Sequence, residues 1–547
     1  MKSSVITLLL VTLSLVSAFA QESGSAVEPQ EPDIVLPEVI LRIEDFSVEE
    51  IEAGIPGEEV LSAPERTVPL PEVGELDIAE PEIPFTILES RDLIGAEHTS
   101  GLSAQAILGA GTLSYLYSQI ALNKIGGEEP RFKLRFLHEM IDGVAGTAGW
   151  AAGSGYHSRE DRLEAGIKLH AGSLGLEIGG LLLDSERGLQ QQSTDFVSHM
   201  YRSGELDSSL QLPLGERFTL NAKASASFAS QLLAGTNPED ETEIRVRPAA
   251  SLEFRHKSIW LAVEGEYGYN ALLGGDALRQ TGARAVFGAE FLDNYRFEAR
   301  GGWSWNSGLG HLFPFSLDLS GTPFSTFSFQ LSGGYRIVPF SYTDLLGEFP
   351  LPLLPASMPA DNHGWFADLG MSFTLTKNLS LQAQALLAWS SALVLPDGLG
   401  IDPSSGLFTI NQQEALQLNT DVRLRWNLGP QMTVSAGLHT EFLDRPAEAP
   451  LHSGTLQIEG NSASARWGGS GRLEFAIGDP QSLPLLSAAG FYNITDTISV
   501  IAEIEDLLHP FWQQTWLTTR LPSGGLYTWE PYENPGLRGV VKLQINL

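Results

Sequence analysis

The sequence predicts an all-β fold, a transmembrane antiparallel β-barrel that follows an acidic, proline-rich N-terminal extension. Apolar and polar residues alternate over stretches of about nine residues or more, the length a membrane-spanning strand needs. Tight turns alternate along the chain with longer polar connections. After the N-terminus, no apolar run reaches the ~18 to 20 residues that a transmembrane helix requires.

The N-terminus has the pattern of a secretory signal peptide over residues 1–20. Lys2 supplies a positive charge, an apolar run extends from Val5 to Val16, and Ala18-Phe19-Ala20 forms a small-x-small cleavage site. Signal cleavage is therefore predicted between Ala20 and Gln21. The apolar run is too short to cross a bilayer as a helix, so the pattern predicts export of the chain.

Composition narrows the class of protein further. The chain has 547 residues, no cysteine and a net charge of −34. Without cysteine there is no site for a lipoprotein anchor and no disulfide scaffold. The strong negative charge argues against a nucleic-acid partner. The scattered histidines lack metal-ligand spacing, and we expect no cofactor and no metal.

Residues 21–100 form a distinct acidic segment with a net charge of −18 and nine prolines. Proline and glutamate at this density oppose a packed core and favour an extended chain. We interpret the segment as periplasmic and leave two roles open. It is either a disordered linker or a segment that docks onto a periplasmic protein partner or lines the barrel mouth.

The clearest strand pattern lies in residues 416–442. Apolar residues occupy every second position from Leu416 to Leu428, and polar residues lie between them. Gly429-Pro430-Gln431 makes a turn, after which the alternation resumes from Met432 to Phe442. Similar hairpins centre on residues 376–378 and 293–294. Further tight turns are predicted at residues 172–173, 215–217, 256–258, 321–323 and 495–497.

The longer connections fall between these hairpins and are predicted at residues 184–204, 234–243, 344–364, 393–413, 444–452 and 507–535. Short turns on one side and long loops on the other are typical of outer-membrane barrels. At about 22 residues per strand and connection, residues 101–547 predict a barrel of about 16–22 strands. Aromatic girdles are expected at its two interfaces, with Trp303, Trp389, Trp426 and Trp467 near apparent strand ends.

The C-terminal strand carries a separate signal. Val541, Leu543, Ile545 and Leu547 alternate with polar residues up to the last position. An amphipathic last strand resembles the assembly signal of outer-membrane proteins. It implies the barrel-assembly machinery and outer-membrane lipid as partners, and a location in the bacterial outer membrane.

The last fifty residues resemble the end of a TonB-dependent-receptor barrel. Asn493 to Val500, followed by Ala502 to Leu508, is similar to the penultimate strand and turn of that family. Asn534-Pro535-Gly536-Leu537-Arg538-Gly539 is similar to the start of its final strand. The resemblance implies barrel architecture. Since the segment 21–100 is shorter than the family's plug and unlike it, we expect a barrel without that domain.

No catalytic constellation is predicted, and we expect no enzyme. Gly468-Gly469-Ser470-Gly471 and His452-Ser453 lack the context of a nucleophile, and Glu239-Asp240-Glu241 is interpreted as a solvated acidic tip. The expected function is a channel or receptor-like conduit for small solutes. Its inward face is expected to carry charges, namely Glu264, Glu266, Asp421, Arg423 and Arg425, with overall acidity favouring cations. The alternative is a structural or assembly component that recruits a periplasmic partner through residues 21–100.

Overall fold

The computed structural model describes residues 102–124, 130–142, 156–235, 239–273, 275, 277–292, 294–349, 351–354, 359–444, 451–477, 484–509, 516–520 and 526–547. The predicted signal peptide, its cleavage site at Ala20 and Gln21, and the acidic segment 21–100 lie outside the described residues. The described residues belong to the compact unit Ala79–Leu547.

The described residues form strands almost throughout, with one short helix, α1, at Tyr342–Glu348. The strands are β1 Ser103–Gly111, β2 Leu116–Lys124, β3 Arg131–Asp142, β4 His157–Ala171, β5 Leu174–Gly188, β6 Phe196–Pro213, β7 Phe218–Gly235, β8 Glu239–His256, β9 Ile259–Leu272, β10 Ala277–Phe291, β11 Tyr295–Asn306, β12 Gly310–Leu312, β13 Phe315–Phe324, β14 Phe327–Val338, β15 Asn362–Thr376, β16 Leu379–Ile401, β17 Phe408–Gly429, β18 Met432–Leu443, β19 Leu451–Asn461, β20 Trp467–Ile477, β21 Leu485–Asn493, β22 Ile498–Glu505, β23 Trp516–Arg520, β24 Leu526–Glu533 and β25 Arg538–Asn546.

The main sheet closes on itself. Each strand pairs antiparallel with its neighbours, and β1 pairs with both β2 and β25, so that Ile107 lies opposite Gln119 on one side and Gln544 on the other. The short β12 pairs with β11 just ahead of β13, and β23 and β24 form a separate hairpin. The closed circuit contains 22 strands, within the predicted range.

Side chains alternate between the two faces of this wall as the sequence predicts. On β17, Leu424 and Trp426 face outward and are 38% and 49% exposed, while Asp421 points inward beside the buried His439. Because a closed sheet leaves no unpaired edge, an apolar outer face of this kind is compatible with hydrocarbon. Among the described residues, no helix is long and apolar enough to cross a membrane.

The outward tryptophans mark two levels on the wall. Trp426 and Trp467 lie near one end of their strands, Trp303 lies near the opposite end of β11, and Trp389 lies at the middle of the 23-residue β16. Trp389 lies opposite Leu416, and the outward apolar face of β17 runs from Leu416 to Trp426. That span matches the roughly 9 to 11 residues of a membrane-crossing strand. The tryptophan positions fit the predicted girdles.

The two rims of the barrel differ. Two-residue turns such as Gly172-Ser173, Lys377-Asn378 and Pro430-Gln431 lie at the rim where β1 begins and β25 ends; we call this the short-turn rim. The opposite rim, called the long-connection rim, carries the connection 339–361 and the insertion that contains β23 and β24. This asymmetry agrees with the predicted pattern of outer-membrane barrels.

Several predicted boundaries are wrong. The turn predicted at residues 321–323 lies at Ser325-Thr326, because β13 continues through a bulge between Gly321 and Phe324. The connections predicted at 184–204, 234–243, 393–413 and 444–452 shrink to 189–195, 236–238, 402–407 and 444–450, since their flanking strands run on. The connection predicted at 344–364 spans 339–361, and 507–535 contains a hairpin. Polar residues on both faces had suggested loops, but outside the membrane a paired strand tolerates them.

The last strand has the predicted alternation. Val541 and Leu543 face outward, and Val541 is 58% exposed, whereas Lys542 and Gln544 are buried on the inner face. β25 pairs with β22 and β1, so the final strand closes the barrel. The assembly role of Val541, Leu543, Ile545 and Leu547 stays a prediction.

Candidate functional site

A hydrophobic core lies at the long-connection rim. Its centre is the connection 339–361 between β14 and β15, which we call the cap. The cap packs against inward residues of β6, β7 and β9, the tip of the β16–β17 hairpin and Tyr532. The buried members are Leu189, Phe196, Tyr201, Ala229, Leu233, Leu272, Phe340, Tyr342, Leu345, Leu346, Phe349, Leu351, Leu354, Leu407, Phe408 and Tyr532.

The cap has local order of its own. Ser341 is the N-cap of α1, and its side chain accepts a hydrogen bond from the backbone N–H of Asp344 at 3.3 Å. Asp344 lies in the first turn, where a negative charge is favourable, and pairs with Arg245 at 3.7 Å. Apolar residues from Phe340 to Leu354 then face the core. The side chain of Ser341 and the ion pair between Asp344 and Arg245 of the wall therefore orient α1.

Three polar side chains of the inner wall bind the backbone of the cap. Glu243 accepts from the N–H of Tyr342 at 2.8 Å, Gln231 donates to the carbonyl of Pro352 at 2.8 Å, and Asn270 donates to the carbonyl of Phe340 at 3.1 Å. All three are buried. Because a buried polar group without a partner is costly, each bond holds the cap in this position.

Asp361 ties the C-terminal end of the cap to its beginning. Its carboxylate accepts from the backbone N–H of Phe340 at 2.9 Å and from the side-chain amide of Asn306. Burial raises the pKa of Asp361 above its ordinary value, although these hydrogen bonds and the charges of Arg247 and Arg245 oppose the rise. Keeping the Asp361 carboxyl ionised in this buried position therefore costs free energy.

The tip of the β16–β17 hairpin covers the cap. Pro352 forms a parallel bridge with Phe408, which donates its N–H to the carbonyl of Leu351 at 2.9 Å and accepts from Leu353 at 2.8 Å. The tip is a compact turn in which Gly406 has φ +73°, a conformation suited to glycine. In the same turn, hydrogen bonds from Ser404 and Ser405 lower the pKa of Asp402.

The insertion after β22 completes the contacts at this mouth. The Tyr532 hydroxyl donates to the carbonyl of Gly406, and the Glu533 backbone exchanges two hydrogen bonds with the side chain of Gln190, at 2.8 and 3.1 Å. Four connections of the long-connection rim thus meet over the inner wall. The arrangement can close the mouth of the lumen.

The five predicted inward charges do face the lumen. Arg284 pairs with Glu264 and Glu266 at 3.4 and 2.8 Å, and Asp421 pairs with His439 at 3.1 Å. Arg423 and Arg425 are exposed toward the interior. At the closing seam, Lys542 pairs with Glu503 at 2.7 Å and lies 4.3 Å from the ring of Tyr117.

The motifs considered for chemistry do not assemble into an active site. His452 and Ser453 are consecutive in β19 and so point to opposite faces of the wall, and His452 bonds Thr440 at 3.0 Å. Gly468 to Gly471 lies within β20, and Glu239-Asp240-Glu241 begins β8. Within the described ranges, no three His, Asp or Glu residues are grouped to hold a metal.

Sequence reasoning missed the residues that anchor the cap. Gln231, Glu243 and Asn270 lie on three different strands and look like ordinary lumen residues in the sequence. The available signal was the apolar content of Phe340 to Leu354, unusual for a loop in water.

Comparisons with known proteins agree with the architecture. No family model and no curated protein sequence matches the chain. Among solved structures, the apoprotein form of the FrpB iron transporter from Neisseria meningitidis (F5-1 variant) has a TM-score of 0.61 at 10% identity, covering 84% of this chain and 83% of that one. The copper transporter OprC has a TM-score of 0.58 at 10% identity, covering 82% and 80%. The siderophore receptor PirA from Pseudomonas aeruginosa has a TM-score of 0.56 at 10% identity, covering 82% and 81%.

The closed 22-strand sheet, its apolar outer face and its unequal rims define the class as an outer-membrane β-barrel. Within that class, the barrel resembles the barrel part of TonB-dependent receptors, as the C-terminal motifs had indicated. The barrel architecture confirms the predicted location in the bacterial outer membrane.

Proposed function

We propose that the protein is a conduit for small solutes and that the cap gates the mouth of the lumen at the long-connection rim. The observation that carries the proposal is the combination of a wide barrel with a connection that docks on its inner wall. Barrels of 22 strands enclose a lumen that is characteristically plugged. The structural neighbours named above are a metal transporter, an iron transporter and a siderophore receptor, and this supports a transport or receptor role.

The cap is suited to movement because the barrel does not depend on it. Val338 and Asn362, which flank it, are already paired in the β14–β15 ladder. Undocking the cap would therefore break the bonds to Gln231, Glu243 and Asn270 without opening the sheet. A gate of this kind exposes the apolar face of the cap to solvent while the wall stays closed.

The test replaces residues 339–361 by a two-residue Asn-Gly turn between Val338 and Asn362. In planar lipid bilayers, we expect the replaced barrel to carry steady currents where the full chain carries brief or small ones. Heat-modifiable gel mobility confirms that each barrel is folded. A folded barrel that still excludes ions would contradict the proposed conduit.

A parallel deletion of residues 21–100 separates the cap from the acidic segment. If that deletion leaves the conductance of the capped barrel unchanged, the acidic segment does not occlude the lumen. A role for that segment in recruiting a periplasmic partner stays a prediction, since it lies outside the described residues.

A further inference from the structure

Two arginines on the inner wall stand apart from the other lumen charges. Arg423 and Arg425 occupy alternate positions of β17, point inward, and are both exposed. Alternate residues of a strand are about 7 Å apart along one face, so both guanidinium groups can reach one small ligand. They lie on the half of the strand nearer the short-turn rim, away from the cap.

Their cross-strand partners are uncharged, and Asp421, the next inward residue of β17, bonds His439. Gln382 and Gly437 lie opposite Arg423 on the adjoining strands, and Ser380 and Ser435 lie opposite Arg425. Within the described part of the chain, no carboxylate lies within 4.0 Å of either guanidinium. Arg284 on β10, by contrast, is paired with two glutamates of β9.

We propose that these side chains, the arginine patch (Ser380, Gln382, Arg423, Arg425 and Ser435), bind the anionic group of a solute inside the lumen. The proposal rests on the proposed conduit and names its solute class as phosphate-, sulfate- or carboxylate-bearing. Guanidinium groups bind such oxyanions in bidentate geometry, and nearby hydroxyl and amide groups add donors.

The arginine patch opposes the preference for cations that the overall acidity of the chain predicts for the lumen. A net charge of −34 describes the whole chain, and −18 of it belongs to residues 21–100. An ion inside the lumen responds to the charges of the wall that it passes. Here that wall presents two cations with no carboxylate of the described residues at ion-pairing distance.

The experiment compares two proteins. Both have residues 339–361 replaced by the Asn-Gly turn and are otherwise full length, and the second also carries R423Q/R425Q. Reversal potentials in a KCl gradient report selectivity, and inorganic pyrophosphate serves as the probe anion. We expect R423Q/R425Q to shift selectivity toward K⁺ and to weaken pyrophosphate block about tenfold. R423K/R425K keeps the charge, and we expect it to retain selectivity while weakening the block.

Arg202→Gln is the matched control, because it removes a positive charge from the outer face, where Arg202 pairs with Asp184 at 2.9 Å. We expect it to change neither measurement. A conducting barrel whose selectivity and block are unaffected by R423Q/R425Q overturns the arginine patch and leaves the conduit standing. If the replaced barrel carries no current, the proposed conduit is wrong. Calorimetric titration of pyrophosphate onto the folded, detergent-solubilised protein then tests the arginine patch by itself. Loss of binding in R423Q/R425Q supports the patch, whereas equal binding in both proteins, or no binding in either, overturns it.

Discussion

Glu243 and Tyr342 are both completely buried, and the Glu243 carboxylate accepts a 2.8 Å hydrogen bond from the Tyr342 backbone N–H. One residue belongs to the barrel wall and the other begins the helix of the cap. A single side chain thus joins the part of the molecule that must stay closed to the part that can move. The first prediction follows from this bond.

Glu243→Ala should loosen the cap. It removes the carboxylate acceptor of the Tyr342 N–H, and losing this buried hydrogen bond costs about 1–3 kcal/mol and raises the undocked population roughly 5- to 150-fold. Counting channel openings in planar bilayers measures the change. Glu243→Gln keeps an acceptor oxygen and should have a smaller effect. Equal opening frequencies in wild type and Glu243→Ala would show that the cap is not the gate.

A disulfide between P352C and F408C should lock the cap to the β16–β17 tip. The two residues form a bridge, which places their Cα atoms at strand-pairing distance, about 5 Å and within disulfide range. The chain has no other cysteine, so no competing disulfide can form. In an E243A background, oxidation should suppress openings and reduction should restore them. Each single cysteine variant is the control, and openings that persist after oxidation would place the gate elsewhere.

Acid should strengthen docking through Asp361. Its pKa in the docked cap is raised by burial, so the docked state binds a proton more tightly than the undocked state. Docking therefore gains stability as pH falls from neutral through the raised pKa, and gains nothing more below the ordinary value of about 3.9. Openings counted in an E243A background should become rarer as the pH is lowered from neutral toward the ordinary value of about 3.9. Asp361→Asn should remove this dependence. An unchanged pH profile in that variant would assign the effect to another group.

Gly288→Ala should destabilise the barrel itself. A Cβ at Gly288 would lie 1.9 Å from the indole of Trp260, which is buried against the inner wall. Overpacking of this kind costs about 1–3 kcal/mol and should lower the denaturant midpoint of the detergent-solubilised protein. Gly301→Ala is the matched control, since nothing lies within 4 Å of its added Cβ. Equal midpoints for the two variants would mean that the Trp260 ring is free to shift.

Val541→Lys should impair insertion and assembly of the last strand. Val541 faces outward, and lysine on a lipid-facing position costs about 2–4 kcal/mol near the midplane. Gln384→Lys places the same charge on the lumen face, opposite Asp421, and should be tolerated. The fraction of heat-modifiable protein in outer-membrane preparations is the measurement. Equal fractions for the two variants would contradict the lipid-facing orientation of β25.

The barrel could be predicted because the pattern that specifies its strands and turns lies in residues that are neighbours in the chain. Leu416 to Leu428 show apolar and polar faces at period two, and the turn at Pro430-Gln431 is marked by its own residues. The boundaries near Asp184 and Gln412 could not be predicted in the same way. There the strands leave the membrane, both faces meet water or protein, and the alternation that identifies a strand disappears.

The sequence by itself determined the all-β class, the outward and inward faces of the strands and the unequal rims, because each follows from residues that are neighbours in the chain. Only the tertiary structure decided that residues 339–361 fold onto the inner wall, and that Gln231, Glu243 and Asn270 hold them there. Those contacts join residues about 70 to 120 positions apart. All three partners are backbone groups, which every residue carries, so no sequence pattern marks them.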